Sequence, residues 1–297
     1  MSLRFGTAPD SWGVWLADHP SQPSWKQFLD ETVESGYHIL ELGPYGYLPT
    51  ELEQLREELS IRNLSLIAAT MVADVMHLPG NTDALLAEVR KICELAAPLG
   101  AKFFVLMVDG YRDDDGTLSG PTNLTGQDWT TFISNCNLIG KLNVEEFGME
   151  LTFHPHADSV IEYSSQVDKL LDDSDANFVQ LCLDTGHYHY RGGDSAALLR
   201  ERFARIPYIH LKSIDPNVMK RVEEENLSFS AAVKLGVACE PSIGATDFAA
   251  LEQSIKDVGW NGFAIVEQDM FPLASKDIPM PIAKRSRDYY NSFGWSN

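Results

Sequence analysis

Short runs rich in β-branched and aromatic residues alternate along the chain with longer stretches whose apolar positions recur every three to four residues. The short runs are residues 3–8 (LRFGTA), 37–42 (YHILEL), 64–70 (LSLIAAT), 102–108 (KFFVLMV), 148–154 (GMELTFH), 178–184 (FVQLCLD), 208–212 (YIHLK) and 263–268 (FAIVEQ). Runs this short and this apolar read as strands buried on both faces. The stretches between them carry the helical period, as in residues 23–36, 82–100 and 247–259. These three end on Gly36, Gly100 and Gly259, which suit the left-handed residue that closes a helix. Asn81 or Thr82, and Thr246 or Asp247, are candidates for the N-cap.

About eight strand–helix units in succession predict an α/β fold, a (β/α)8 TIM barrel in a single domain over residues 1–297. The rival, an open doubly wound sheet, would carry a glycine-rich phosphate loop after its first strand. That position holds Ala8-Pro9-Asp10-Ser11-Trp12-Gly13 instead. Loop insertions near 109–126 and 213–245 would both lie on the catalytic face of a barrel, where they are candidates for lids.

Function in such a barrel sits on inward-facing side chains at the C-terminal ends of strands. Alternate residues of a strand share a face, so parity identifies them. Glu150, Thr152, His154 and His156 share one parity on the fifth strand; Gln180, Cys182 and Asp184 on the sixth; Tyr208, His210 and Lys212 on the seventh; and Phe263, Ile265, Glu267 and Asp269 on the eighth. Glu150, Asp184, His210 and Glu267 form a candidate set for a divalent metal ion, and Mn2+, Co2+, Mg2+ and Zn2+ all tolerate such ligands. Acids gathered in a barrel mouth repel one another unless a cation or protons neutralise them.

His154-Pro155-His156 offers two imidazoles as acid and base around such a metal, and either histidine is an alternative to Glu150 as ligand. Lys212 is a further catalytic candidate, to stabilise an enolate oxygen or to move a proton if burial lowers its pKa. Trp12, Glu41 and His187 are the candidate substrate-binding residues: an aromatic face for the C–H surface of a sugar (Trp15 nearby is a second), a strand-end carboxylate, and an imidazole beyond Asp184.

Charge narrows the function classes. With 43 acidic and 23 basic residues the net charge is −20, and no Lys/Arg cluster interrupts it. Such a surface repels phosphate backbones and anionic lipid, so neither nucleic acid nor membrane is an expected partner. No stretch approaches the length of a membrane span, and the opening MSLRFGTAPDSW lacks the pattern of a signal peptide. Cys93, Cys136, Cys182 and Cys239 are far apart with no CxxC, which suits reduced, buried thiols in a cytoplasmic protein. The aromatic segment 288–295 (DYYNSFGW) suits either the cover of a neighbouring subunit in a homo-oligomer or packing on its own barrel floor.

The segments TAPDSWGVW (7–15), ELGPYGYLP (41–49), FHPHADS (153–159), LDTGHYHY (183–190), YIHLKSIDPNVM (208–219) and FAIVEQD (263–269) resemble the sugar phosphate isomerase/epimerase superfamily of xylose isomerase-like barrels. Within it they are most similar to the inosose (2-keto-myo-inositol) dehydratase branch. The resemblance implies a divalent-metal-dependent lyase of inositol and carbohydrate catabolism that dehydrates inosose or a related keto-polyol. The alternative is a sugar or keto-inositol isomerase or epimerase working through an enediol. It also implies a metal site on Glu150, Asp184, His210 and Glu267. Abasic-site nucleases of similar architecture are a rival reading, which the charge disfavours.

Overall fold

The computed structural model describes residues 3–295. Eight strands form a closed parallel barrel: β1 (Arg4–Thr7), β2 (Ile39–Glu41), β3 (Ser65–Ala73), β4 (Phe103–Val108), β5 (Glu150–Phe153), β6 (Val179–Asp184), β7 (Tyr208–Leu211) and β8 (Phe263–Val266). Each lies within or overlaps one of the eight runs expected from the sequence. The ring closes where Arg4 to Thr7 of β1 pair with Phe263 to Val266 of β8. Gly6 is required at the next seam, because a Cβ there would fall 2.3 Å from the carbonyl oxygen of Ile39 in β2.

The strands are buried on both faces, which explains their unbroken apolar character. Inside the barrel Phe103, Val105, Cys182, Tyr208, Phe263 and Ile265 pack with Ile67 and Ala68. The Phe103 ring lies 4.7 Å from that of Tyr208 and 6.0 Å from that of Phe263. At the N-terminal floor Arg4 lies over the Phe263 ring at 4.0 Å. The barrel interior is therefore a packed plug below a polar mouth.

Helices cover the outside. Trp25–Glu34 is capped by Ser24, whose hydroxyl accepts from the Gln27 N–H, and Phe248–Val258 by Asp247, which accepts from the Ala250 N–H. Asn81 stands at the N-cap of Thr82–Ala96 without a side-chain cap bond. Gly36, Gly100 and Gly259 all have positive φ. Segment 288–295 packs on its own barrel: the Tyr290 ring lies 5.1 Å from Phe248 and 6.1 Å from Phe5. Among the described residues no helix is long and apolar enough to cross a membrane.

Residues 213–245 form a small unit of their own. Ser213–Ile214 pairs antiparallel with Ala238–Cys239, and helices Pro216–Glu225 and Phe229–Lys234 lie between them. Ile214, Val222, Phe229, Ala232, Val233 and Val237 bury against Ala157 and Tyr190. Arg112, from the other long connection, donates to the carbonyls of Asn226 (2.9 Å) and Leu227 (3.3 Å), so the two insertions touch over the mouth.

Candidate metal centre and catalytic cavity

The C-terminal ends of β5 to β8 converge. Asp184 ends β6 beside His210 of β7, which pairs with Ile265 of β8. Glu267, two residues on, returns to the same face. His154 follows β5. One ligand atom from each of His154, Asp184, His210 and Glu267 lies within 4.8 Å of the others, and all four residues are buried. His154 Nε2 is 3.3 Å from Asp184 Oδ2. His210 Nδ1 is 2.9 Å from Glu267 Oε2 and 3.8 Å from Asp184 Oδ2. Yet that Nδ1 makes no hydrogen bond. A buried imidazole nitrogen set among carboxylate oxygens without a hydrogen bond fits a divalent cation, and two imidazoles with two carboxylates are a suitable donor set.

Glu41 fixes the orientation of His210. Its Oε1 accepts from His210 Nε2 at 2.8 Å and from the Tyr208 hydroxyl at 2.8 Å, and its Oε2 accepts from Thr70 at 3.0 Å. Burial alone would raise Glu41, but His210, Tyr208 and Thr70 outweigh it and hold the carboxyl below its ordinary value. An ionised carboxylate only accepts, so in the neutral ring His210 carries its proton on Nε2, and Nδ1 is the nitrogen a cation would take.

Lys212 is buried among acids. Its Nζ lies 2.9 Å from Asp269, 3.3 Å from both Asp184 and Glu267, and 3.9 Å from Asp10. Burial pushes its pKa down, but these carboxylates win and hold it well above the ordinary lysine value. The sequence-based option of a lysine made basic by burial therefore gives way to a permanent ammonium. Gly186 leaves room for its stem, since a Cβ there would lie 2.5 Å from Lys212 Cγ.

Two imidazoles face the same space with defined tautomers. His156 Nδ1 donates to the Ala157 carbonyl at 2.8 Å, which leaves Nε2 as its basic nitrogen. Burial, then His154, lowers the His156 pKa to about 4, so the ring is neutral. His187 Nδ1 accepts from the Ala157 N–H at 3.2 Å, which puts its proton on Nε2, 3.2 Å from Lys212 Nζ. Two donors thus converge where a shared acceptor oxygen fits. A cavity of about 690 Å3 opens over these groups, lined also by Trp15, Asp109 and Arg112.

Two expected site residues lie elsewhere. Glu150 is exposed at the start of β5, paired with Phe103 at the barrel's N-terminal end. Four residues at ~3.3 Å each put it roughly 13 Å below His154. His154, the alternative, occupies the fifth-strand position in the cluster. Trp12 does not line the cavity: it is fully buried, 5.0 Å edge-on to Phe28, with its indole N–H donating to Glu31 at 2.8 Å. Trp15 faces the cavity in its place, stacked 5.1 Å from Phe271. Asp10, Asp158 and Phe229 line the cavity without having been singled out from the sequence. Asp10 belongs to the quoted TAPDSWGVW segment and Asp158 to FHPHADS; Phe229 had no local signal.

The chain is similar along its length to the inosose dehydratase of Clostridium perfringens (strain 13 / Type A), 27% identical over 294 residues, covering 97% of this chain and 96% of that one. It is 29% identical over 297 residues to the inosose dehydratase of Geobacillus kaustophilus (strain HTA426), covering 97% and 93%. Among solved structures it resembles the IOLI protein with a bound zinc atom, with a TM-score of 0.74 at 14% identity, covering 98% and 99%. The sequence profile of one family matches residues 29–291, nearly the whole barrel. With that match, and a closed eight-stranded parallel barrel behind it, the chain belongs to the xylose isomerase-like TIM barrel family.

Proposed function

We propose that this chain is a divalent-metal-dependent lyase that removes water from 2-keto-myo-inositol or a closely related keto-polyol. The observation that carries the reading is the buried His154, Asp184, His210 and Glu267 group with its unbonded His210 Nδ1. The full-length similarity to relatives named inosose dehydratase supports the substrate class. Those four residues would hold the cation, which supplies Lewis-acid polarisation of the substrate ketone.

The protein's own groups account for the proton movements. His156 Nε2 takes the proton α to the carbonyl, and the C–H electrons move into the new carbon–carbon double bond. The β C–O bond breaks, and the departing hydroxyl takes the proton that His156 now carries and leaves as water, while the His187 Nε2–H and the Lys212 ammonium donate hydrogen bonds to it. The ammonium also offsets the negative charge that develops on substrate oxygen. The resulting enol returns to a ketone, giving a dione.

The lining favours an uncharged substrate. Of its two cations, Lys212 is held by carboxylates and Arg112 donates to two backbone carbonyls. Lys212, the cation beside the candidate metal ligands, is thus already neutralised and is not left to pair with a phosphate or carboxylate.

The test is turnover of 2-keto-myo-inositol by manganese-loaded and chelator-stripped protein, followed by the absorbance of the conjugated dione. Metal-dependent dione formation supports the reading. Loss of the ketone without dione replaces it with isomerisation or epimerisation.

A further inference from the structure

Both long insertions attach to one residue that the proton movements leave unused. Asp158 is buried in the left-handed region at φ 60°, directly after Ala157. Its carbonyl accepts from the Tyr111 N–H at 2.7 Å, which ties down the first insertion. Its Oδ2 accepts from the Phe229 N–H at 2.6 Å, which ties down the second. Its Oδ1 accepts from Arg191 Nη2 at 2.5 Å.

Glu162 completes the clasp. Its Oε2 accepts from Arg191 Nε at 2.5 Å and from the Asp158 N–H at 2.8 Å, and its Oε1 accepts from the Tyr111 hydroxyl at 2.6 Å. One guanidinium thus bridges two buried carboxylates in the forked geometry that arginine alone provides.

What the clasp holds is the orientation of two imidazoles. Ala157 offers its carbonyl to His156 and its N–H to His187, so its backbone sets both tautomers. The Phe229 ring packs against both, 5.1 Å from His156 and 4.7 Å from His187. The side chains of Ala157 and Phe229 only pack, in one apolar cluster with Tyr190 and Val233, so the polar tether of each backbone comes from elsewhere. Asp158 supplies the turn for one and the acceptor for the other.

We propose that Asp158, clamped by Arg191 and Glu162, is a positioning residue: it holds the Ala157 backbone and the Phe229 ring so that His156 presents a bare Nε2 and His187 a protonated Nε2 to the substrate. Its catalytic meaning rests on the keto-polyol lyase reading; its structural content does not.

Two substitutions separate backbone from side chain. Asp158→Gly keeps the left-handed turn free of strain and removes the acceptor. Asp158→Asn keeps both the turn preference and an acceptor oxygen. The readouts are hydrogen exchange at the Phe229 amide, the 15N shifts of the His156 and His187 rings, kcat and KM separately, and Mn2+ affinity. For Asp158→Gly, exchange at Phe229 rises and kcat falls, each about tenfold or more, while the ring nitrogens lose their distinct tautomers and Mn2+ affinity holds. Asp158→Asn recovers most of both. Wild-type exchange and ring shifts in Asp158→Gly overturn the clasp. Altered exchange and shifts with an unchanged kcat overturn its role in positioning. If the wild type forms no dione, the lyase reading falls while exchange and ring shifts still decide the clasp. Should Asp158→Gly not fold, Arg191→Lys, which keeps the charge but cannot fork to both carboxylates, carries the same readouts, and wild-type values there overturn the proposal.

Discussion

Glu41 Oε1 and His210 Nε2 lie 2.8 Å apart at the mouth of the barrel, and this contact decides which imidazole nitrogen is left for a cation. Glu41→Gln removes the charge that fixes the tautomer while keeping the shape. The account predicts Mn2+ affinity about 10–100-fold weaker with the fold intact. Equilibrium dialysis against Mn2+, with thermal unfolding as the control, checks this; unchanged affinity would mean Glu41 does not tune the site.

Lys212 offsets four carboxylates from a position with 2% side-chain exposure. Lys212→Met is expected to lower turnover by at least about 100-fold, as loss of a preorganised charge does, while the protein still binds one equivalent of Mn2+. Stability should fall by about 3 kcal/mol, because the buried acids lose their counter-ion. Gly186→Ala, which crowds the lysine stem, should reproduce part of the turnover loss. Parallel loss of metal and turnover in Lys212→Met would remove its catalytic role.

His156 is the expected base, with its Nδ1 proton committed to the Ala157 carbonyl. His156→Gln should reduce kcat by about 10²–10⁴-fold with little effect on bound metal. Solvent exchange of the α-hydrogen, read by proton NMR in deuterated buffer, should slow in step. Exchange at the wild-type rate assigns proton removal to another group.

The two tryptophans should behave oppositely. Trp12 is in the wall against Phe28 and Glu31. Trp12→Phe should cost about 1–3 kcal/mol of stability, through an unsatisfied acceptor and lost packing, with KM within about twofold of wild type. Trp15→Ala should leave stability near wild type and raise KM. Denaturant melts paired with steady-state kinetics separate the two, and the reverse pattern would put Trp12 back in the substrate site.

The fold was legible because a barrel strand buried on both faces leaves an unbroken apolar run, and eight such runs recur. Parity placed Asp184, His210 and Glu267 on the inner face, and the structure brings their atoms into one group. Parity could not give height along the barrel axis. Glu150 and His154 share a face, but the pairing of Glu150 with Phe103 puts Glu150 at the floor. Only the stagger between neighbouring strands, which one sequence does not state, decides which of the two stands level with Asp184 and His210. Trp12 was misplaced for a local reason: it ends the 3-10 turn Pro9–Trp12, and left-handed Gly13 (φ 65°) redirects the chain directly after it, so Trp12 stays in the wall while Trp15 reaches the cavity. The Asp158 clasp joins residues from four separate segments, so no local pattern announces it.

The most direct measurement is manganese content and dione formation, taken together, on Glu150→Ala and His154→Ala. The account predicts that Glu150→Ala keeps one equivalent of Mn2+ and wild-type turnover of 2-keto-myo-inositol, and that His154→Ala loses both. Metal and activity lost from Glu150→Ala and retained by His154→Ala would contradict it.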